Sequence, residues 1–394
     1  MIVTTQNLDG LRVSLLQMPK ANTVGAVLLI GAGAADDQAP AFGAAHLAEH
    51  VRIAAGPSGP ASMPPVRGTT GNVTTRFSAV GLPEDAPALA AHLAGLLGSA
   101  KVPSETFEAE RQAAMIEVRH TSSSPLLSLG PAVAAAAAPG HALAATVRAD
   151  ASSLARLTPL QVQNFTDRHY RRSCAELVLS GPELPNDEVL QVVDSAARSV
   201  RDCPPIHPAA DGFCGAGRTG AAGHATYGEE TVGLSPELDG LVLLSLIRGP
   251  VMTDHAAALI GPGGVVEAAG ARLGHQVTGR SAVSGRTLSV EVLCWRAGAD
   301  AGVLASALTA KSDELWSAAA APGTLVRAAV RRRQESAYRA RTPLGAAAAL
   351  LDHEHDGDAA AADLVTPPPV VPTPSALKTM GVWRVHRGTL VRHG

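Results

Sequence analysis

Three side chains in the segment His46-Leu47-Ala48-Glu49-His50 have the types and spacing for metal-assisted hydrolysis. On a helix, residues at i, i+3 and i+4 project from one face, so His46, Glu49 and His50 would point the same way. Two imidazoles one turn apart can hold a Zn²⁺ ion through nitrogen at about 2.0–2.1 Å, and a catalytic site needs a third protein ligand and one open position for water. Zinc brings the pKa of that water toward about 7, and Glu49, between the histidines, is placed to take the proton. The order His-x-x-Glu-His is the zinc-helix pattern His-Glu-x-x-His read backwards. A pattern this short also arises by chance in roughly a few per cent of chains of this size, so a third ligand has to be found. Glu110 and Glu117, in Glu110-Arg111-Gln112-Ala113-Ala114-Met115-Ile116-Glu117, stand two turns apart on one helical face. One of them can close the zinc site while the other accepts a hydrogen bond from a histidine and fixes its orientation. Spacing alone leaves open which does which.

The elements that must position these groups follow from periodicity. Gly43 to Ala55 has helical spacing, with Ala44, Leu47, Ala48 and Val51 inward, and Ser104 to Arg119 is a helix carrying both glutamates. Leu11 to Leu16, behind the turn Asp9-Gly10, reads as a strand; Val24 to Ile30 reads as a fully buried one, and Asn72 to Val80 and Ala175 to Ser180 as two more. Asp85 to Leu97 and Leu157 to Tyr170 read as helices, and the run Ala134 to Ala138 as plain helix. Residues 203–228 are Pro, Gly, Ala and His without periodicity, the composition of a linker. They separate a candidate domain 1–202 from a second, 229–394, each of ordinary domain size. The second half reads as a helix from Leu238 to Leu246, a strand from Thr287 to Leu293, and helices from Ala301 to Ala318 and Leu325 to Tyr338.

Composition narrows the class. Apolar residues are 46% of the 394 but aromatics only 3%, so the core relies on small side chains packed closely. The net charge of −3 is spread evenly, and Arg331-Arg332-Arg333 reads as a solvated helix face. Nucleic-acid binding, which needs a broad basic surface or stacking aromatics, is not expected. Cys174, Cys203, Cys214 and Cys294 have no Cys-x-x-Cys spacing and read as free thiols of a reducing compartment. The first residues lack a basic stretch followed by an apolar one, and Val24 to Ile30 is too short for a bilayer, which takes about 20 residues. A cytoplasmic protein without membrane contact is the expectation. His353-Glu354-His355 reads as a polar loop, and Gly261-Pro262-Gly263-Gly264, with no Gly-Lys-Ser/Thr after it, is not a phosphate loop.

Taken together, these motifs resemble those of the pitrilysin/insulinase family of inverzincin metallopeptidases, most closely its shorter branch that includes the mitochondrial processing peptidase. The resemblance rests on Gly31 to Asp37 leading into Gly43 to His50, and on Glu110 to Glu117. It is supported by Pro139-Gly140-His141, Ser153 to Thr158 and His169-Tyr170, and is strong over residues 1 to about 200. It implies an α+β chain of two similar domains, each a β-sheet with helices packed on one face. It also implies one Zn²⁺ per chain on His46, His50 and Glu117, with Glu49 as the base and Glu110 orienting a histidine. A peptide would lie as an added strand on a sheet edge, met by Asn72, Val73 and Thr74.

Two departures shape the functional expectation. Only 66 residues separate His50 from Glu117, and Gly56 to Gly71, with Pro57, Gly59, Pro60, Pro64 and Pro65, stands where the family usually has a helix. In addition, active single-chain relatives hold the substrate carbonyl with an Arg and a Tyr of the second domain. The matching stretch here, Ile260 to Gly274, lacks that pair, and of the three tyrosines none falls between 228 and 337. In heterodimeric relatives a partner supplies them. The resemblance therefore implies a catalytic zinc endopeptidase subunit that works with a homologous partner; the alternative is a non-catalytic structural or binding subunit of the same fold. Arg272 or Arg280 in a homodimer is a further candidate for the missing donor. Arginine far exceeds lysine, 28 of 32 basic residues, which with the alanine content suggests a GC-rich bacterial genome and makes leader-peptide removal a natural task.

Overall fold

The structure is a computed structural model. It describes residues 2–57, 64–98, 101–123, 149–198, 240–248, 264–272, 277–284, 287–294, 321–355, 377–386 and 389–393, with a few isolated residues between. The expected linker 203–228, the alanine run 134–138, Pro139-Gly140-His141 and most of the expected helix 301–318 lie outside the described residues. The chain forms two compact units. The first comprises Met1–Val118, Arg148–Arg218 and Ser336–Ala362, and the second Arg119–Val147, Thr219–Glu335 and Asp363–Gly394.

The first unit is built on six strands: β1 (Ile2–Leu8), β2 (Leu11–Gln17), β3 (Val24–Ile30), β4 (Arg67–Thr70), β5 (Thr75–Gly81) and β6 (Ala175–Gly181). They lie in the order β1-β2-β6-β3-β5-β4. The β2–β6 pair is parallel and the others antiparallel. The run Val-Gly-Ala-Val-Leu-Leu-Ile of β3 has no polar face, which suits a strand covered on both sides, and every residue of it is buried. β1, polar and half exposed, forms the opposite edge from β4; neither β1 nor β4 stood out in the sequence.

Its helices follow the order α1 (Ala44–Ala54), α2 (Ala86–Gly95), α3 (Ser104–Ser123), α4 (Ala151–Arg156), α5 (Pro159–His169) and α6 (Asn186–Ala197). Leu47 and Val51 of α1, Leu89 and Leu93 of α2, Phe165 of α5 and Val193 of α6 share one core with Val13, Leu15, Leu28 and Leu177 of the sheet. The sheet's other face takes a helix from much later in the chain, Pro343–His355. Thr342 accepts a hydrogen bond from Gly345 N at 3.2 Å and Pro343 occupies the first turn, a cap-and-proline start that pins the helix end. Ala347, Leu350 and Leu351 pack on Val27, Leu29 and Val178, and Asp352 pairs with Arg76 of β5. The approach is close because residue 25 is glycine: a Cβ there would sit 2.3 Å from Leu344 N and 2.5 Å from Leu344 Cα.

The second unit contains a five-stranded antiparallel sheet of β7 (Gly240–Arg248), β8 (Val277–Ser284), β9 (Thr287–Cys294), β10 (Leu377–His386) and β11 (Thr389–His393), in the order β11-β10-β7-β9-β8. Its described helices include Val265–Arg272, and Pro322–Arg339 begins within it. The mixture of sheets and helices is α+β, as expected, and the strand at Thr287 and the helix through Leu325–Tyr338 fall where the sequence placed them.

Three local expectations are corrected. The expected helix Leu238 to Leu246 is strand over its described residues: Gly240–Arg248 is the central strand of the second sheet, paired with β10 and β9. His353-Glu354-His355 is the last turn of the helix Pro343–His355 and not a loop. Cys174 is disulfide-bonded and so is not a free thiol. Among the described residues no helix is long and apolar enough to cross a membrane.

Candidate metal centre

The helix α1 is aimed by its own entry. Gly43, with φ at +93°, turns the chain into the helix, and Asp37 accepts hydrogen bonds from Gly43 N at 2.6 Å and Ala45 N at 2.8 Å. A carboxylate at a helix start satisfies donors that have no partner within the helix. Burial nevertheless pushes Asp37 up to about 7, against the two backbone donors that favour its anion.

The helix α3 is docked by apolar packing of Phe107 and Ala114 and by Arg111. The Arg111 guanidinium donates to the carbonyls of Ala155 at 2.9 Å and Leu157 at 3.3 Å, at the end of α4. That leaves Glu110 and Glu117, on the neighbouring face, opposite α1.

Four of the expected residues meet there. Glu117 Oε2 lies 3.5 Å from His46 Nε2 and 3.3 Å from His50 Nε2, and the three ligand atoms all fall within 4.8 Å of one another. Ligands about 2.0–2.1 Å from a tetrahedral zinc stand about 3.3 Å apart; the two glutamate–histidine distances match that spacing, and the donor set of two imidazoles and a carboxylate suits the ion. Glu110 is on the other side of the ring: its Oε2 is 3.2 Å from His50 Nδ1. The two glutamates, interchangeable by spacing, are thereby told apart. Glu117 faces the nitrogens that point at a shared centre, and Glu110 faces the nitrogen that points away.

Glu49 lies beside them, 7% exposed. Its Oε2 accepts a hydrogen bond from Thr70 Oγ1 at 2.6 Å. Burial raises its pKa, opposed by Thr70 and by the two histidines. For His46, burial disfavours the charged ring, but the carboxylates of Glu117, Glu49 and Asp37 prevail and raise its pKa. Glu117, hydrogen-bonded by His46 and half exposed, is held down to about 2. A cleft of about 320 Å³ opens over these groups, completed by Ile53 and Ala54 at the end of α1 and by Gly68, Thr69 and Thr70 of β4.

Asn72, Val73 and Thr74 are placed differently. They form the turn between β4 and β5, outside the lining of the cleft. The carbonyls of Gly71 and Asn72 accept from Ala34 N at 3.0 Å and Ala35 N at 2.7 Å and are already engaged. The strand that borders the cleft is β4, which ends the sheet on that side. The sequence does carry its signal: Thr69-Thr70-Gly71-Asn72-Val73-Thr74-Thr75 has threonine pairs about a Gly-Asn, the composition of a hairpin. The side chains of Arg272, at a helix end, and Arg280, in β8, lie outside what the structure describes.

No protein-family model matches the sequence, and no curated protein sequence matches it. Solved structures do. A protease from Helicobacter pylori superposes with a TM-score of 0.70 at 13% identity, over 91% of this chain and 90% of that one. A domain described as an inactive peptidase M16 domain, from Pseudomonas fluorescens, gives 0.62 at 13% identity over 85% of this chain and 83% of that one. Pitrilysin gives 0.55 at 16% identity over 86% of this chain and 37% of its own length. At such identities the likeness is one of fold: this chain has the α+β fold of pitrilysin-like peptidases.

Proposed function

We propose that the chain is a zinc-dependent endopeptidase subunit. The observation that carries this reading is the convergence of His46, His50 and Glu117 on one point, with Glu49 beside it and a sheet edge bordering the same cleft. His46, His50 and Glu117 would hold one zinc per chain, and when bound the ion would polarise a water and the peptide carbonyl. Glu110 keeps the His50 ring turned so that Nε2 faces the site. A peptide adds as a strand along β4, which sets its carbonyl against the cleft. Glu49 takes a proton from the attacking water as the new C–O bond forms, then returns it to the amide nitrogen as the C–N bond breaks. The products are a carboxylic acid, which passes its remaining proton to the amine or to water, and an amine, and Glu49 ends as it began.

The oxyanion that develops on the carbonyl needs fixed donors, and the loss of one typically costs about 2.7–4 kcal/mol. The second half of the sequence carries no Arg/Tyr pair of the expected form, which supports a homologous partner chain as their source. Processing of peptides, such as removal of leader segments, is the corresponding task. The competing reading, a non-catalytic subunit, draws on the likeness to an inactive M16 domain.

The test is zinc content followed by cleavage. The pure chain should hold about one zinc and cleave an unstructured peptide hardly at all, whereas the chain with its co-purifying partner should cleave it orders of magnitude faster. Full zinc in His46→Ala would defeat the metal assignment. Rapid cleavage by the pure chain, abolished by Arg272→Ala or Arg280→Ala, would replace the heterodimer with a homodimer. A zinc-free wild type that cleaves nothing with any partner would establish the non-catalytic subunit.

A further inference from the structure

We infer that β4 does more than receive the peptide: Thr70 is a positioning residue for the Glu49 base, acting in a seat that Gly68 leaves open. The inference rests on the peptidase reading above.

A glutamate on a helix reaches its target through three rotatable bonds, and one that stands between two metal ligands has a competing place to go, the metal itself. Something must hold its carboxylate off the ion and in one orientation. The contacts that do so come from β4. Thr70 Oγ1 donates to Oε2 at 2.6 Å, within the short range of hydrogen bonds to an anionic oxygen. The rest of the carboxylate lies over Gly68, where a Cβ would come within 2.1 Å of Oε1, 2.5 Å of Cδ and 2.6 Å of Cγ. The carboxyl group thus fills the volume a side chain at 68 would occupy.

Register makes the arrangement specific. Gly68 and Thr70 are two residues apart on a strand and face the same side. The pairs Gly68↔Phe77 and Thr70↔Thr75 with β5 fix which two residues those are. A slip of one residue would present Arg67 and Thr69 to Glu49 instead. β4 would therefore hold the peptide by its backbone and the base through the Thr70 hydroxyl and the space at Gly68, so that docking of the substrate and aim of the proton acceptor share one element.

The experiment uses the zinc-loaded chain with the partner that co-purifies with it, and oxidised insulin B chain as the probe peptide. Thr70→Val keeps the shape and removes the donor. It should lower kcat by about 10–100-fold, the effect of losing a hydrogen bond to a charged group, with KM changed less than about twofold and zinc content unaltered. Thr70→Ser restores the hydroxyl and should recover most of kcat, which a purely structural role for the threonine methyl would not allow. Gly68→Ala should displace the carboxylate and lower kcat with zinc retained. In the Glu49→Gln background Thr70→Val should cost nothing further, because its effect passes through Glu49. In the metal-free protein, the two substitutions should be non-additive in thermal midpoint. An unchanged kcat in Thr70→Val, a loss confined to KM, failure of the serine variant to recover, or strict additivity would each overturn the inference. A wild-type complex that cleaves no peptide refutes the peptidase reading; a wild type that cleaves while Thr70→Val cleaves equally well refutes only the role of β4.

Discussion

Replacement of Glu110 separates the two glutamates that spacing alone left interchangeable. A histidine that binds a metal through Nε2 carries its proton on Nδ1, and an acceptor at Nδ1 fixes the ring and raises the basicity of the liganding nitrogen. Glu110 Oε2 is 3.2 Å from His50 Nδ1, and its side chain is 27% exposed, so water screens part of its charge. Loss of such an acceptor typically weakens metal binding by about 10–100-fold, or about 1.4–2.7 kcal/mol. Glu110→Gln keeps a neutral carbonyl acceptor and should fall at the tenfold end; Glu110→Ala, with no acceptor, should approach a hundredfold. Glu117→Gln removes a charged ligand and should weaken zinc binding more than either. Competition against a chromophoric zinc chelator at neutral pH reads all three as Kd. If Glu110→Gln loses as much as Glu117→Gln, Glu110 is itself a ligand. If it loses nothing, the Nδ1 contact has no part in holding the metal. Either result refutes the assignment.

Other substitutions bear on the base, the ligands and the fold. Glu49→Gln should keep its zinc while peptide cleavage by the complex falls by about 10²–10⁴-fold; loss of zinc in this variant, measured by elemental analysis, would make Glu49 a ligand. Zinc affinity should decline on acidification from above the ordinary histidine range. His46 has its pKa raised by surrounding carboxylates in the metal-free protein, so protons compete for the ring at higher pH than usual, and lowering pH favours the protonated, metal-free form. A titration showing zinc affinity flat through the histidine range and falling only at acid pH would contradict this. Leu350→Ala, at a side chain 1% exposed on the far face of the first sheet, should cost about 2–5 kcal/mol by urea unfolding, and a change under about 0.5 kcal/mol would mean that the helix Pro343–His355 does not pack there.

The helices α1 and α3 were legible because both signals are local. His46, Glu49 and His50 lie within one turn and a half, and Glu110 and Glu117 share one helical face. Spacing alone did not give their meeting or the division of labour between the glutamates, which only the family resemblance implied, because both depend on how Arg111 and Phe107 dock α3 against elements far away in sequence. The long apolar strand β3 was readable from its composition and its turn-rich flanks. The same kind of run, Leu241 to Ile247, lies largely in the expected helix Leu238 to Leu246 and is strand instead. A central strand paired on both sides shows continuous hydrophobicity without alternation, and leucine, unlike valine, gives no further hint. β4 escaped notice because four residues, one of them glycine and two of them threonine, give too short a pattern to register. The helix Pro343–His355 has the Thr-Pro start of a helix, but what it covers is set by a sheet whose strands end more than a hundred residues earlier.

That helix has a consequence for how the protein is made. The last strand of the first sheet ends at Gly181, and the helix that covers its far face begins at Pro343. At about 5–20 residues per second, the ribosome needs roughly 8–30 s to deliver the second after the first. Throughout that interval Val27, Leu29 and Val178 belong to a nascent sheet with one apolar face open to chaperones and to other unfinished chains. A gene cut after the first half would prolong that interval indefinitely. That half, although it contains every residue of the candidate metal site, would emerge as a sheet still waiting for its cover.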